Sequence, residues 1–145
     1  MELEATLNIC LANTFLMYFK AHSHHWNVQS KSFMEHHEFF GGLYEDLWGA
    51  VDPLAENLRK LGAMAPTTLK ELQEYATLDE KEDAHQSVES MMQELKDDND
   101  KVVDSLNKLF ELATKNKKQG LANFAADRLD THAKHGWMLD SYLKG

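Results

Sequence analysis

Cys10 is the only cysteine in this chain of 145 residues, so no intrachain disulfide can form. Its apolar neighbours Ile9 and Leu11 point to a buried, unreactive thiol. Prolines number two and glycines seven, too few to punctuate an architecture of short strands and tight turns. No apolar run is long enough to cross a bilayer, and the opening MELEATLNIC has no basic region of the kind that begins a secretory signal. A reducing, cytoplasmic setting with no membrane partner is expected. Positive charge is also scarce: 15 lysines and arginines face 24 aspartates and glutamates, a formal charge of −9. Such a field opposes contact with phosphate backbones and favours cations. Internal repeats and low-complexity tracts are absent.

What remains is an all-α chain of one domain, residues 1–145, large enough to bury roughly two-thirds of its unfolded surface. Apolar residues at steps of three and four predict a helix over about 4–28, with Leu7, Cys10, Leu11, Thr14, Tyr18, Ala21 and His25 on its inward stripe. Ser32, with Glu35 three residues on, predicts a capping box opening a second helix that ends near Leu61–Gly62, with Pro53 inside it. A connector over 63–80 with a short helix near 68–75 suits a crossover. Two more helices follow over about 80–115 and 119–143, with Leu121, Ala125, Leu129, Ala133, Trp137 and Leu143 among the apolar positions of the last. Four long helices with one long connection describe a ferritin-like bundle.

The chemistry is concentrated between Ala21 and Phe40, where five of eight histidines lie: His22, His24, His25, His36 and His37. Asp52 and Glu56, four residues apart on one side of the second helix, are candidate oxygen ligands. On that helix, however, His37 and Asp52 stand about 22 Å apart at 1.5 Å per residue, so one ion cannot reach both. A single kind of site using all four must therefore join His25 and His37 of one subunit to Asp52 and Glu56 of another, which predicts a dimer about a two-fold axis near Asp46. An intrabundle site would need two Glu-x-x-His pairs, and Glu82 with His85 is the only one. The remaining histidines, His24, His36, His85, His132 and His135, read as solvated surface, and the methionines as core.

His25-Trp26-Asn27-Val28, His37-Glu38 and Asp52-x-x-Ala55-Glu56 resemble the signature of the Dps family, DNA-binding proteins from starved cells. The ending Asp127-Arg128-Leu129-Asp130-x-His132-x-Lys134-His135-x-Trp137 is also similar to that family's last helix. The resemblance implies a hollow dodecamer of bundles that binds ferrous iron, oxidises it with hydrogen peroxide, and stores ferric mineral against oxidative damage. Ferroxidase ligands would then be His25 and His37 of one subunit with Asp52 and Glu56 of its neighbour. Mixed imidazole and carboxylate ligands suit iron, with zinc or another divalent metal as a competitor. Trp26 reads first as a packing residue, though the resemblance implies that it shields or tunes the redox site. His22, one turn before His25, is placed as an auxiliary ligand or a hydrogen-bonding neighbour.

Two departures qualify these expectations. The family has an aspartate four residues after the second histidine, where this chain has Gly41. Loss of that carboxylate weakens the preference for Fe(III) and opens the alternative of a non-catalytic metal-binding or structural cage. Family members that bind DNA through a tail have a lysine-rich extension, whereas MELEATL leads at once into the first helix. With no basic cluster beyond Lys115, Lys117 and Lys118, strong DNA binding is not expected.

Overall fold

The apolar steps that open the sequence form one continuous helix, α1 (Glu2–Asn27), in a computed structural model that describes residues 2–145. It is followed by α2 (Phe33–Lys60), the short α3 (Leu69–Tyr75), α4 (Val88–Lys115) and α5 (Gln119–Lys144). Among the described residues all regular structure is helical. α1 pairs with α2, α4 pairs with α5, and α1 packs on α4, so two helical hairpins lie against each other with α3 laid across α1. Leu7, Met17, Leu47, Leu58, Leu106 and Leu139 are among the fully buried side chains that join them. Each such burial contributes about 1.5–3 kcal/mol relative to an exposed side chain.

Helix ends follow local chemistry. Past α2, the Ala63 amide donates to the Leu58 carbonyl and the Gly62 amide to Arg59, a turn that needs the positive φ of 90° that Gly62 adopts. Lys117, at φ 57°, makes the same kind of turn after α4, so Lys118 can bond back to Ala113 and start α5. Pro53 leaves α2 unbroken; lacking an N–H, it removes one rung, and the Asn57 amide bonds its carbonyl at 2.9 Å.

Some expectations fail at this level. Ser32 precedes α2 but its hydroxyl makes no capping bond. α4 begins at Val88, not near 80, with Ser87 Oγ accepting from the Ser90 amide. Residues 79–85 are exposed and offer no apolar face to bury, and a helix without one is not stabilised by its own backbone alone. Glu82 and His85 therefore lie outside any helix. In α5 the inward side chains are Ala125, Arg128, His132 and Leu139, while Ala133 and Trp137 are exposed. Met34 and Met64 are likewise on the surface, not in the core.

The crossover is held by polar groups of α1. Asn13 exchanges two hydrogen bonds with Thr77, its amide donating to Oγ1 at 2.9 Å and its carbonyl accepting from the Thr77 amide at 2.8 Å. Lys20 donates to the Asp79 carbonyl and to Asp98 Oδ2. Leu78, between them, is buried.

Candidate metal centre

The last turn of α1 and the first turns of α2 are joined by a few residues, which places His25 beside His37. Their rings stack, with centroids 3.7 Å apart and planes inclined by 16°. Each Nδ1 bonds the other residue's backbone carbonyl, His25 to His37 O at 2.6 Å and His37 to His25 O at 2.7 Å. A carbonyl oxygen can only accept, so both Nδ1 atoms carry hydrogen and, in the neutral rings, both Nε2 lone pairs are left free. Histidine ligands of metals are ordinarily oriented in this way, by a carbonyl or carboxylate on the far nitrogen.

Gly41 lies one turn beyond His37 and is buried. A Cβ at this position would stand 3.2 Å from both Cε1 and Nδ1 of His25. The absent side chain therefore has a packing consequence as well as a chemical one, because it lets the His25 ring lie against α2.

Asp52 and Glu56 occupy the exposed side of the same unbroken helix, and among the described residues neither carboxylate is paired with a cation. The fifteen residues from His37 to Asp52 keep Asp52 about 22 Å along the helix from His37, and Glu56, a turn further on, stands about 28 Å away. Among the described residues, no three His, Cys, Asp or Glu side chains converge as a metal-holding group. One chain thus brings together His25 and His37 and leaves Asp52 and Glu56 elsewhere.

Trp26 is not buried in the chain: it is 57% exposed, edge-on to Phe19 and 4.3 Å from the His22 ring. His22 stacks on Tyr44, with centroids 3.8 Å apart and planes inclined by 6°, and its Nδ1 lies 3.0 Å from the Tyr18 hydroxyl. Burial and the adjacent His25 lower its pKa.

Three histidines read as surface residues prove to belong to buried networks. His24 donates from Nε2 to Glu94 Oε1 at 3.0 Å, and Lys20 lies 3.4 Å from Glu94 and 2.9 Å from Asp98. Burial raises the Glu94 carboxyl, but His24 and Lys20 outweigh it and hold it at about 2. At Asp98 burial prevails over Lys20, and the nearby Glu94 charge adds to it, so that group is pushed up to about 6. On the other side of the bundle, Arg128 grips Asp46 with two hydrogen bonds at 3.1 and 2.9 Å, and His135 donates to Asp46 at 2.7 Å. Burial works against the Asp46 charge, yet these partners hold its pKa well below the usual carboxylate range. His132 is fully buried between Arg128, which donates to its Nε2 at 3.1 Å, and Asn99, which accepts from its Nδ1 at 2.8 Å. Burial, then the Arg128 charge, keeps it neutral and lowers its pKa to about 3.

A helical bundle with a long crossover and a preoriented histidine pair defines a class, and comparison with known proteins agrees with it. Residues 4–145 match the Ferritin family, described as a ferritin-like domain. General stress protein 20U of Bacillus subtilis is 32% identical over 142 residues, covering 98% of this chain and 97% of its own. DNA protection during starvation protein of Brevibacillus brevis is 31% identical over 95% of this chain and 92% of its own. Among solved structures, a Dps protein from Vibrio cholerae O1, described as a member of a broad superfamily of ferritin-like diiron-carboxylate proteins, superposes with a TM-score of 0.93 at 30% identity, covering 98% of this chain and 89% of that one. The chain belongs to the ferritin-like family, as one of its Dps proteins.

Proposed function

We propose that this protein is a mini-ferritin of the Dps kind, which binds Fe(II) at sites shared by two subunits, oxidises it with hydrogen peroxide and stores the ferric product, limiting oxidative damage. The observation that carries the reading is the reciprocal bond between His25 and His37, which directs two Nε2 lone pairs outward while committing both Nδ1 atoms to carbonyls. Rings lying face to face cannot both aim in-plane lone pairs at one ion. The pair favours two ions side by side, one per imidazole, at the separation of about 3.5–4 Å usual in two-metal sites.

Two nitrogens are an incomplete ligand set, and the unpaired carboxylates of Asp52 and Glu56, presented on the outer side of α2, supply what is missing once a second subunit packs two-fold against this face. Assembly into a closed cage, a dodecamer built from such dimers, then multiplies the sites. Iron is the substrate; zinc competes for the same nitrogen and oxygen ligands. Direct binding of DNA is disfavoured by the charge of −9, so protection of DNA would come through removal of iron and peroxide.

Anaerobic Fe(II) loading followed by peroxide tests this. Ferric absorbance should rise rapidly in the wild type and fall by about tenfold or more in His25→Ala and in Asp52→Ala, the scale of loss expected when a metal site is disrupted. Hybrids assembled from the two variants should regain activity, because one of the two sites in each mixed dimer then has every ligand intact. Unchanged oxidation in both single variants would overturn the assignment, and inactive hybrids would overturn the sharing. The second reading, a cage that binds metal without turning it over, is favoured by Gly41 alone; bound metal with no peroxide-dependent absorbance would select it.

A further inference from the structure

At one end of the bundle the first turns of α2 and α4 meet the last turns of α5, and between them is a groove of about 330 Å³ that the proposed iron centre does not use. Met92 of α4 lines it and is 2% exposed, while Met138 of α5, 36% exposed, lines it nearer the surface. His36 of α2 borders the same groove. Its ring is held by two neighbours: Nδ1 lies 2.7 Å from the Ser30 hydroxyl, and the ring meets Tyr142 edge-on with centroids 5.7 Å apart. Donation from Nδ1 to the serine oxygen leaves the Nε2 lone pair free for a cation.

A buried methionine by itself is a filler of core gaps. Here two thioethers and an imidazole border one open space, and the sulfurs sit on unbranched, flexible chains that let them converge on a common point. His36 and His37 are consecutive on α2, so their side chains point about 100° apart and the groove is separate from the His25–His37 pair. Fe(II) and Zn(II) prefer nitrogen and oxygen, whereas thioethers select Cu(I). Three neutral donors leave the charge of the ion uncompensated, which a single charge tolerates better than a double one. Trp137 and Phe39, in the same lining, add aromatic faces that attract a cation. Glu35 and Ser141 are the exposed oxygen donors of the lining, and they are hard ligands set against two soft ones.

We infer that His36, Met92 and Met138 form a Cu(I) site, one ion per chain, distinct from the iron centre. The ligands are Nε2 of the imidazole and the two thioether sulfurs. None of them belongs to the proposed ferroxidase centre, so the inference stands apart from that reading. It extends protection to a second metal. Free Cu(I) reduces hydrogen peroxide to hydroxide and hydroxyl radical as it becomes Cu(II), and an ion held by thioethers is stabilised as Cu(I) and withheld from that reaction.

The test adds Cu(I) anaerobically to the assembled, metal-free protein in competition with bicinchoninate, a coloured Cu(I) chelator. The protein should withdraw one Cu(I) per chain, and X-ray absorption at the copper edge should show both sulfur and imidazole scattering. Met92→Leu and Met138→Leu nearly conserve volume and remove the sulfur, so each should keep a urea midpoint close to the wild type's and weaken Cu(I) binding by at least about tenfold. His25→Ala should retain Cu(I), and Met138→Leu should retain peroxide-dependent ferric absorbance. Copper bound without a sulfur shell, or held at full affinity by both methionine variants, overturns the inference. Loss of Cu(I) from His25→Ala would place the ion at the iron pair and overturn it equally. Absence of ferric product in the wild type would instead overturn the ferroxidase reading, and the copper titration would still report on the groove.

Discussion

At position 41 a single missing side chain decides where an imidazole can rest. Replacing Gly41 by alanine puts a methyl group 3.2 Å from two atoms of a ring that is also bonded to His37 O and stacked on His37. The ring must move by a few tenths of an ångström, and the short hydrogen bond is the contact that gives. Gly41→Ala should therefore fold with a stability change of only about 1 kcal/mol, set against helix propensity gained, yet bind metal less tightly than the wild type. Isothermal titration with Zn(II), beside a urea melt, separates the two effects; unaltered affinity would mean that the His25 ring tolerates displacement. The spacing of His25 and His37 was legible in the sequence because both lie near one short turn. His24, His132 and His135 were not, since their partners Glu94, Asn99 and Asp46 are 70, 33 and 89 residues away. A polar side chain is buried when a distant segment satisfies it, and periodicity contains no information about that.

Among the elements, α5 shows how such satisfaction overrides apolar patterning. The expected inward stripe through Leu129, Ala133 and Trp137 is displaced toward Arg128 and His132, which pack inward because they bond each other, Asp46 and Asn99. The long helices themselves were legible from steps of three and four. The start of α4 was not, because residues 80–87 continue a charged run with no buried face to mark a boundary. His132 gives α5 a pH dependence of definite sign. Its folded pKa of about 3 lies below the ordinary histidine value of 6.5, so the unfolded chain takes up the proton first, and stability declines as pH falls from about 6.5 toward 3. The full decline is on the order of 5 kcal/mol. Asp98 acts in the opposite direction: its folded pKa, raised to about 6, adds stability as pH falls from there toward 3.8. The readout is accordingly the difference between wild type and His132→Gln in urea midpoint at pH 7 and pH 4. The wild type should lose more on acidification than the variant; equal losses would remove His132 from the account.

The whole molecule is two helical hairpins joined by one long segment, and what ties that segment down is unevenly placed. Asn13, Lys20 and the buried Leu78 secure residues 77–79, and Ser87 begins the next helix, while the residues between are exposed and irregular. Lys81 stands in that interval, so trypsin should cut there before it cuts the helices. A mass of two fragments under denaturing conditions, with an unchanged elution volume under native ones, is the expected result; cleavage first at a helical lysine would contradict it. The contact of α1 with α4, together with the Asp46–Arg128 pair between α2 and α5, crosses the cut without depending on the chain. The peptide link between hairpins is then a convenience of synthesis: the gene could be split after codon 81, and the separately translated halves should find each other and rebuild the bundle.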